Sequence, residues 1–199
     1  MSAYLDQALW ALGRGTGIVA LVMFTLALVL GIVTRSGRPV PGLGRFGAAD
    51  LHRTAALTGT GLIGVHVVSL LLDPYAQLRL VDLAVPFLGA WRPAWLGLGT
   101  LAVDLLAVVT VVSLLRHRIG PRAFHAVHWA TYVLWPVALV HALGTGTDAG
   151  TAWFRWLAAG CAGAVMWAVG WRLLPSYAGR GRRRVPRRVP GRAPGRVPR

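Results

Sequence analysis

Five runs of about twenty residues pass almost uncharged through this 199-residue chain, each long enough to cross a bilayer as a helix. They cover about 13–34, 49–72, 93–115, 122–143 and 152–174. Inside lipid a helix satisfies its own backbone groups. The expected fold is therefore all-α, a polytopic transmembrane helical bundle of about five spans. An apolar content of 55% and a mean hydropathy of +0.57 agree with that. The first run reads as a span rather than a secretion signal. It is too long, no basic residue precedes Gly13, and no small-residue cleavage site follows.

Arginine placement gives the expected orientation. All 21 basic residues are arginine and all six acids are aspartate, a compositional bias from which we read no function. Seventeen of the arginines fall on one side: Arg35, Arg38, Arg45 and Arg53, then Arg116, Arg118 and Arg122, then Arg172 and nine from Arg180 to Arg199. Only Arg14, Arg79, Arg92 and Arg155 fall on the other. Positive residues stay cytoplasmic. The N-terminus is thus expected outside and the C-terminus inside a bacterial plasma membrane. Residues 1–176 form the expected transmembrane domain. Residues 177–199, rich in arginine and proline and without apolar period, are expected to be disordered. That tail suits anionic lipid headgroups, and no nucleic-acid partner is expected. The lone Cys161 allows no intramolecular disulfide and no cysteine metal cluster, so it reads as a small buried hydrophobe.

The connection Pro74–Arg92 is long and semi-apolar. Two readings stand: a short amphipathic helix capping the bundle on its outer side, or a loose loop.

Titratable side chains are rare in apolar spans and usually mark a functional site. Here four histidines form two pairs, His52 and His66 fourteen apart, His128 and His141 thirteen apart. Neutral imidazole ligates iron and other transition metals. The second and fourth spans run the same way. His66 and His141 each lie seven residues before an aspartate, Asp73 or Asp148, at the outer boundary. Going inward, helical rise puts His52 and His128 about 21 and 20 Å deeper. Each level can therefore hold a haem edge-on between one histidine of each helix.

Rotation tests this reading. Fourteen residues return to within about 40° of one face, whereas thirteen leave about 140° on a straight helix. A kink or wide turn near Pro136 is expected to repair part of the second mismatch. His125, one turn before His128, is the alternative inner ligand, and His128 is preferred by spacing. His117, in RHR, reads as a solvated interfacial side chain. Single histidines of this kind often act as interhelical hydrogen-bonding groups; two depth-matched pairs argue for more.

The stretches LHRTAALTGTGLIGVH and HWATYVLWPVALVH, flanked by RHRIGPRAFHAVHW and HALGTGTDAG, resemble the ferric reductase-like transmembrane domain. That superfamily includes ferric reductases, NADPH oxidases and the membrane subunit of a methionine sulfoxide reductase system. The likeness is to its haem-only bacterial members and covers about Gly13 to Trp171. It implies two b-type haems held by the two histidine pairs, and an oxidoreductase component moving electrons outward. Two departures accompany it. Family cores usually have six spans, against five here. No Gly-rich nucleotide motif is present, so no flavin or nicotinamide site is expected in this chain. The donor is then quinol, free flavin or a separate reductase protein. The acceptor is a ferric chelate or an extracytoplasmic redox partner.

Haem propionates need cationic partners. Arg14 and then Arg92 are the outer candidates, Arg53 and Arg122 the inner ones, each set against a simple snorkelling role. Asp104, the only acid well inside a span, reads equally as a histidine-orienting or proton-relaying group and as an acid bonded to a neighbouring helix. Trp129, Tyr132 and Trp135 could line the haem faces, but an aromatic helix face is more often plain packing or interfacial anchoring. The competing function is a histidine-based proton or divalent-metal transporter without haem. A metalloprotease is excluded, because the chain has no glutamate for an HExxH motif.

Overall fold

The computed structural model describes residues 3–34 and 45–173. The arginine-rich tail and the connection carrying Arg35 and Arg38 lie outside the described residues. Helices α1 (Ala3–Thr34), α2 (Arg45–Leu72), α4 (Pro93–Leu114), α6 with α7 (Pro121–His128, Thr131–Thr145) and α8 (Ala152–Leu173) make five membrane-length elements. Two short helices, α3 (Leu80–Ala84) and α5 (Arg116–Ile119), lie in the connections. No strand occurs among the described residues. The expected all-α, five-span bundle is what the chain forms, and it is a multi-pass membrane protein.

α1 starts ten residues before the expected boundary. Its 32 residues reach about 48 Å, against a hydrocarbon core of about 30 Å, so it projects beyond that core. Asp6 in its first turn complements the positive end of the helix dipole. Two of the other helices begin on proline. Pro93 and Pro121 open α4 and α6, where the missing N–H costs nothing. Gly120, at φ 78°, supplies the backbone turn before α6 that a side chain would strain.

α1 runs antiparallel to α2 and packs along its length, and α4 runs antiparallel to α7. The core lies where α1, α7 and α8 meet, around Trp135, Cys161 and Val165, with Leu28 and Val29 against them. The buried Trp135 indole N–H donates to Thr25 Oγ1 at 3.0 Å, which satisfies a polar group that lipid could not. α2 rests on α1, and α7 on α4; the two long histidine-bearing helices make no comparable contact with each other.

The fourth span is interrupted, but not at Pro136. The break falls at Trp129–Ala130, and α7 continues through the proline. Hydrogen bonds there tighten to i→i+3: Ala130 N–H to Val127 O, Tyr132 N–H to Trp129 O, Val133 N–H to Ala130 O. A proline ring crowds the carbonyl four residues earlier, here Tyr132, which lies past the break. Three residues wound at about 120° rather than 100° add about 60°. That removes part of the mismatch between His128 and His141. The turn is tighter, not wider.

The Pro74–Arg92 connection is folded. Asp73 Oδ1 accepts the Tyr75 N–H at 2.9 Å, closing the end of α2. Asp82 is buried and accepts from Arg79 Nη2 at 2.8 Å, Nε at 3.1 Å and backbone N–H at 3.0 Å. The Thr100 hydroxyl of α4 donates to Asp82 O at 2.6 Å, and the Phe87 ring lies on Gly97, where a Cβ would sit 2.1 Å from it. Of the two open readings, the short capping helix is the one observed.

The Arg79 side chain, then its backbone N–H, hold the Asp82 carboxyl below its usual 3.8. Because the folded value is the lower one, this contribution is complete above pH 3.8 and lost as pH falls through the folded pKa. Protection of the amides of residues 79–88, taken relative to the intrinsic exchange rate at each pH, should therefore fall on acidification below about pH 4, and Asp82→Asn should abolish that change in protection.

Candidate haem-ligating histidines

His66 faces α1, and its Nδ1–H donates to Gly13 O at 2.6 Å. Fourteen residues away on both helices, His52 Nδ1–H donates to Ala27 O at 2.7 Å. His141 faces α4, donating from Nδ1 to Trp95 O at 2.8 Å. A carbonyl only accepts, so each Nδ1 carries the proton. In the neutral ring Nε2 is then left as a lone-pair donor for a metal. Metal-bound histidines commonly carry this kind of second bond, which sets ring orientation.

The four rings sort into two levels. His66 and His141 lie at the same end of the bundle: the Gly13 carbonyl receives His66, and the neighbouring Arg14 pairs with Asp148 in the turn after His141. At the other level the His52 and His128 ring centres are 6.3 Å apart, with planes at 72°. Two imidazoles sharing one metal through bonds of about 2 Å have ring centres about 6 Å apart, so this separation fits one iron. Phe124 stacks on His128 at 5.2 Å and 24°. The levels are about 21 Å apart along α1, from Gly13 to Ala27.

His125 is exposed and turned back on its own helix, where its Nδ1–H bonds to Pro121 O. The ring brought to His52 is that of His128. His117 is exposed beside Arg116. Among the described residues no group of three or more His, Cys, Asp or Glu side chains is arranged to hold a metal ion. Paired histidines suit a metal whose remaining ligands come from a macrocycle.

The candidate supporting residues divide. Arg14 makes a two-pronged ion pair with Asp148, through Nε and Nη2, and lies 4.6 Å from the Trp10 ring centre. This pair joins α1, next to the carbonyl that receives His66, to the turn after His141. The pair is part-buried, with the Arg14 side chain 33% exposed and that of Asp148 6%, so losing one partner costs less than in a fully buried pair. Arg14→Ala should destabilise by about 1–3 kcal/mol, because the buried Asp148 loses its counter-charge. The double variant Arg14→Ala/Asp148→Ala should recover part of the loss in denaturation in detergent.

Arg92 donates to Gly144 O at 2.9 Å and stacks on Trp91 at 5.1 Å. Arg53 and Arg122 are exposed at the His52 level. Asp104 is half-buried in α4 and takes none of the ring N–H groups of His52, His66 or His141, which go to carbonyls. Those three carbonyls leave no mark in the sequence, since every residue has one. Nor does the sequence show the Asp148 partner of Arg14, or the Arg172 contact with Tyr132 OH at 2.7 Å and with the Trp129 ring at 5.2 Å.

No curated protein and no solved structure matches the chain. A family model described as "ferric reductase like transmembrane component" matches residues 16–139. That stretch contains His52, His66 and His128 and stops two residues before His141. It takes in more than half of the chain, which therefore belongs to the ferric reductase-like transmembrane component family.

Proposed function

We propose that this protein carries electrons across the membrane through two b-type haems, one held by His52 and His128 and one by His66 and His141. Support comes from the family and above all from one observation: three ring Nδ1–H groups are committed to backbone carbonyls, which reserves each Nε2 for a metal. Bound haem iron supplies a one-electron couple, ferric to ferrous. The chain's own part is to ligate, orient and insulate. His52, His66, His128 and His141 would provide the nitrogen ligands. α1 and α4 hold the rings against rotation. The apolar spans keep bulk water from both levels, and low polarity tunes the potential of a buried iron.

By the positive-inside rule, the His52–His128 level faces the cytoplasm and the His66–His141 level the outside of a bacterial plasma membrane. The donor is quinol, free flavin or a separate reductase protein. The acceptor is a ferric chelate or an extracytoplasmic redox protein. Arg53 and Arg122 are the cations at the inner level. At the outer level Arg92 and Arg14 are available, the latter shared with Asp148. The arginine tail meets anionic lipid headgroups.

Proteoliposomes with ferricyanide trapped inside and an impermeant reductant outside test the reading. Haem-loaded protein should bleach the trapped ferricyanide, and haem-free protein should not. Bleaching no faster than in empty liposomes overturns it.

A further inference from the structure

The three carbonyls that receive a histidine ring from another helix have something else in common. Gly13, Ala27 and Trp95 each stand four residues before a glycine: Gly17, Gly31 and Gly99. In an α-helix the side chain at i+4 stands over the carbonyl of residue i. That carbonyl already accepts the N–H of i+4 and has one lone pair left. A ring from another helix reaches it only where the i+4 Cβ is missing.

The distances bear this out. A Cβ on Gly99 would lie 2.5 Å from His141 Cε1 and 2.7 Å from its Nδ1. On Gly17 it would lie 2.9 Å from His66 Nδ1, and on Gly31 3.2 Å from His52 Cε1. Elsewhere in the bundle the same place is filled from within the helix. Thr25 donates its hydroxyl to Leu21 O at 2.8 Å, Thr60 to Ala56 O at 2.9 Å, Ser69 to Val65 O at 2.7 Å, and Thr145 to His141 O at 2.8 Å. Residue i+4 therefore decides whether its own side chain or a foreign imidazole occupies the carbonyl. The register agrees as well. Gly17 and Gly31 are fourteen apart on α1, as His52 and His66 are on the antiparallel α2.

We propose that Gly17, Gly31 and Gly99 are positioning residues, seating His66, His52 and His141 respectively and holding each ring in its Nδ1–H tautomer with Nε2 offered to the metal. The tautomer part stands on geometry alone, while the metal part rests on the haem reading above.

The test compares full-length Gly17→Ala, Gly31→Ala and Gly99→Ala with Gly61→Ala, a glycine with nothing within 4 Å of its Cβ position. Haem content and midpoint potentials are read on loaded protein. Ring ¹⁵N shifts of labelled histidines are read on haem-free protein in liposomes. Gly99→Ala and Gly17→Ala should each lose about half of the haem. Gly31→Ala, the mildest contact, should keep its haem with one midpoint displaced. Each variant should move one histidine off the Nδ1–H pattern, a change that general destabilisation would not produce. Gly61→Ala should match wild type in all three readouts.

Wild-type haem, midpoints and ring shifts in the three variants overturn the proposal. Should Gly99→Ala not accumulate, Gly31→Ala decides alone, since its contact asks for a shift of only tenths of an ångström. Wild-type protein that takes up no haem overturns the electron-transfer reading, and the ring shifts still judge the seating.

Discussion

His141→Ala is expected to remove one haem and spare the other, leaving about half of the pyridine haemochrome signal of wild type. The His66–His141 level would lose one of its two proposed nitrogen ligands, and among the described residues no group of three or more His, Cys, Asp or Glu side chains is arranged to hold a metal ion instead. The other level, about 21 Å away, keeps His52 and His128 at 6.3 Å. His66→Ala should give the same spectrum, because both changes empty the same level. His141→Gly should recover the lost band in excess imidazole, which can enter the space vacated by the ring. A loss of all haem in His141→Ala, with the helical content intact, would mean that the two levels are not independent sites.

At the other level, His128→Ala is expected to remove the second haem, while His125→Ala leaves both. The two histidines are one turn apart, and sequence spacing alone separates them weakly. Their surroundings separate them better. His128 sits between the His52 ring and the Phe124 face. His125 is exposed and bonded to Pro121 of its own helix. Haem loss in His125→Ala with retention in His128→Ala would reverse the assignment. The spectra of the two variants, at matched protein concentration, settle which ring is the ligand.

Five spans are legible in this sequence because bilayer thickness imposes a length and a polarity on each. The ends of α2, α4, the α6–α7 pair and α8 fall within a few residues of the apolar boundaries. The projecting start of α1 was not legible, since residues 3–12 leave the membrane without leaving the helix. The break at Trp129–Ala130 carries no glycine or proline of its own. Pro136 lies several residues further on, inside a helix that continues through it, so the proline does not mark the break. The histidine pairs were legible because polar residues are scarce in lipid. Their carbonyl partners were not, because a backbone group leaves no mark in composition. The trace that did exist was indirect: two glycines fourteen apart on one helix, facing two histidines fourteen apart on the next.

The ion pair of Arg14 with Asp148 shows the same limit. Charge pattern singles out Arg14 as a cation at one end of the first span. Only the fold brings it to an aspartate 134 residues away, where it ties the helix that seats His66 to the turn that follows His141.

The proposed function calls for two haems per chain, each between one histidine of α2 and one of α6 or α7. Pyridine haemochrome stoichiometry on purified protein, expressed with ample haem, counts them. Two haems b per polypeptide are expected, falling to one in His66→Ala. A value of one in wild type, or no b-type spectrum after dithionite, would contradict the proposal.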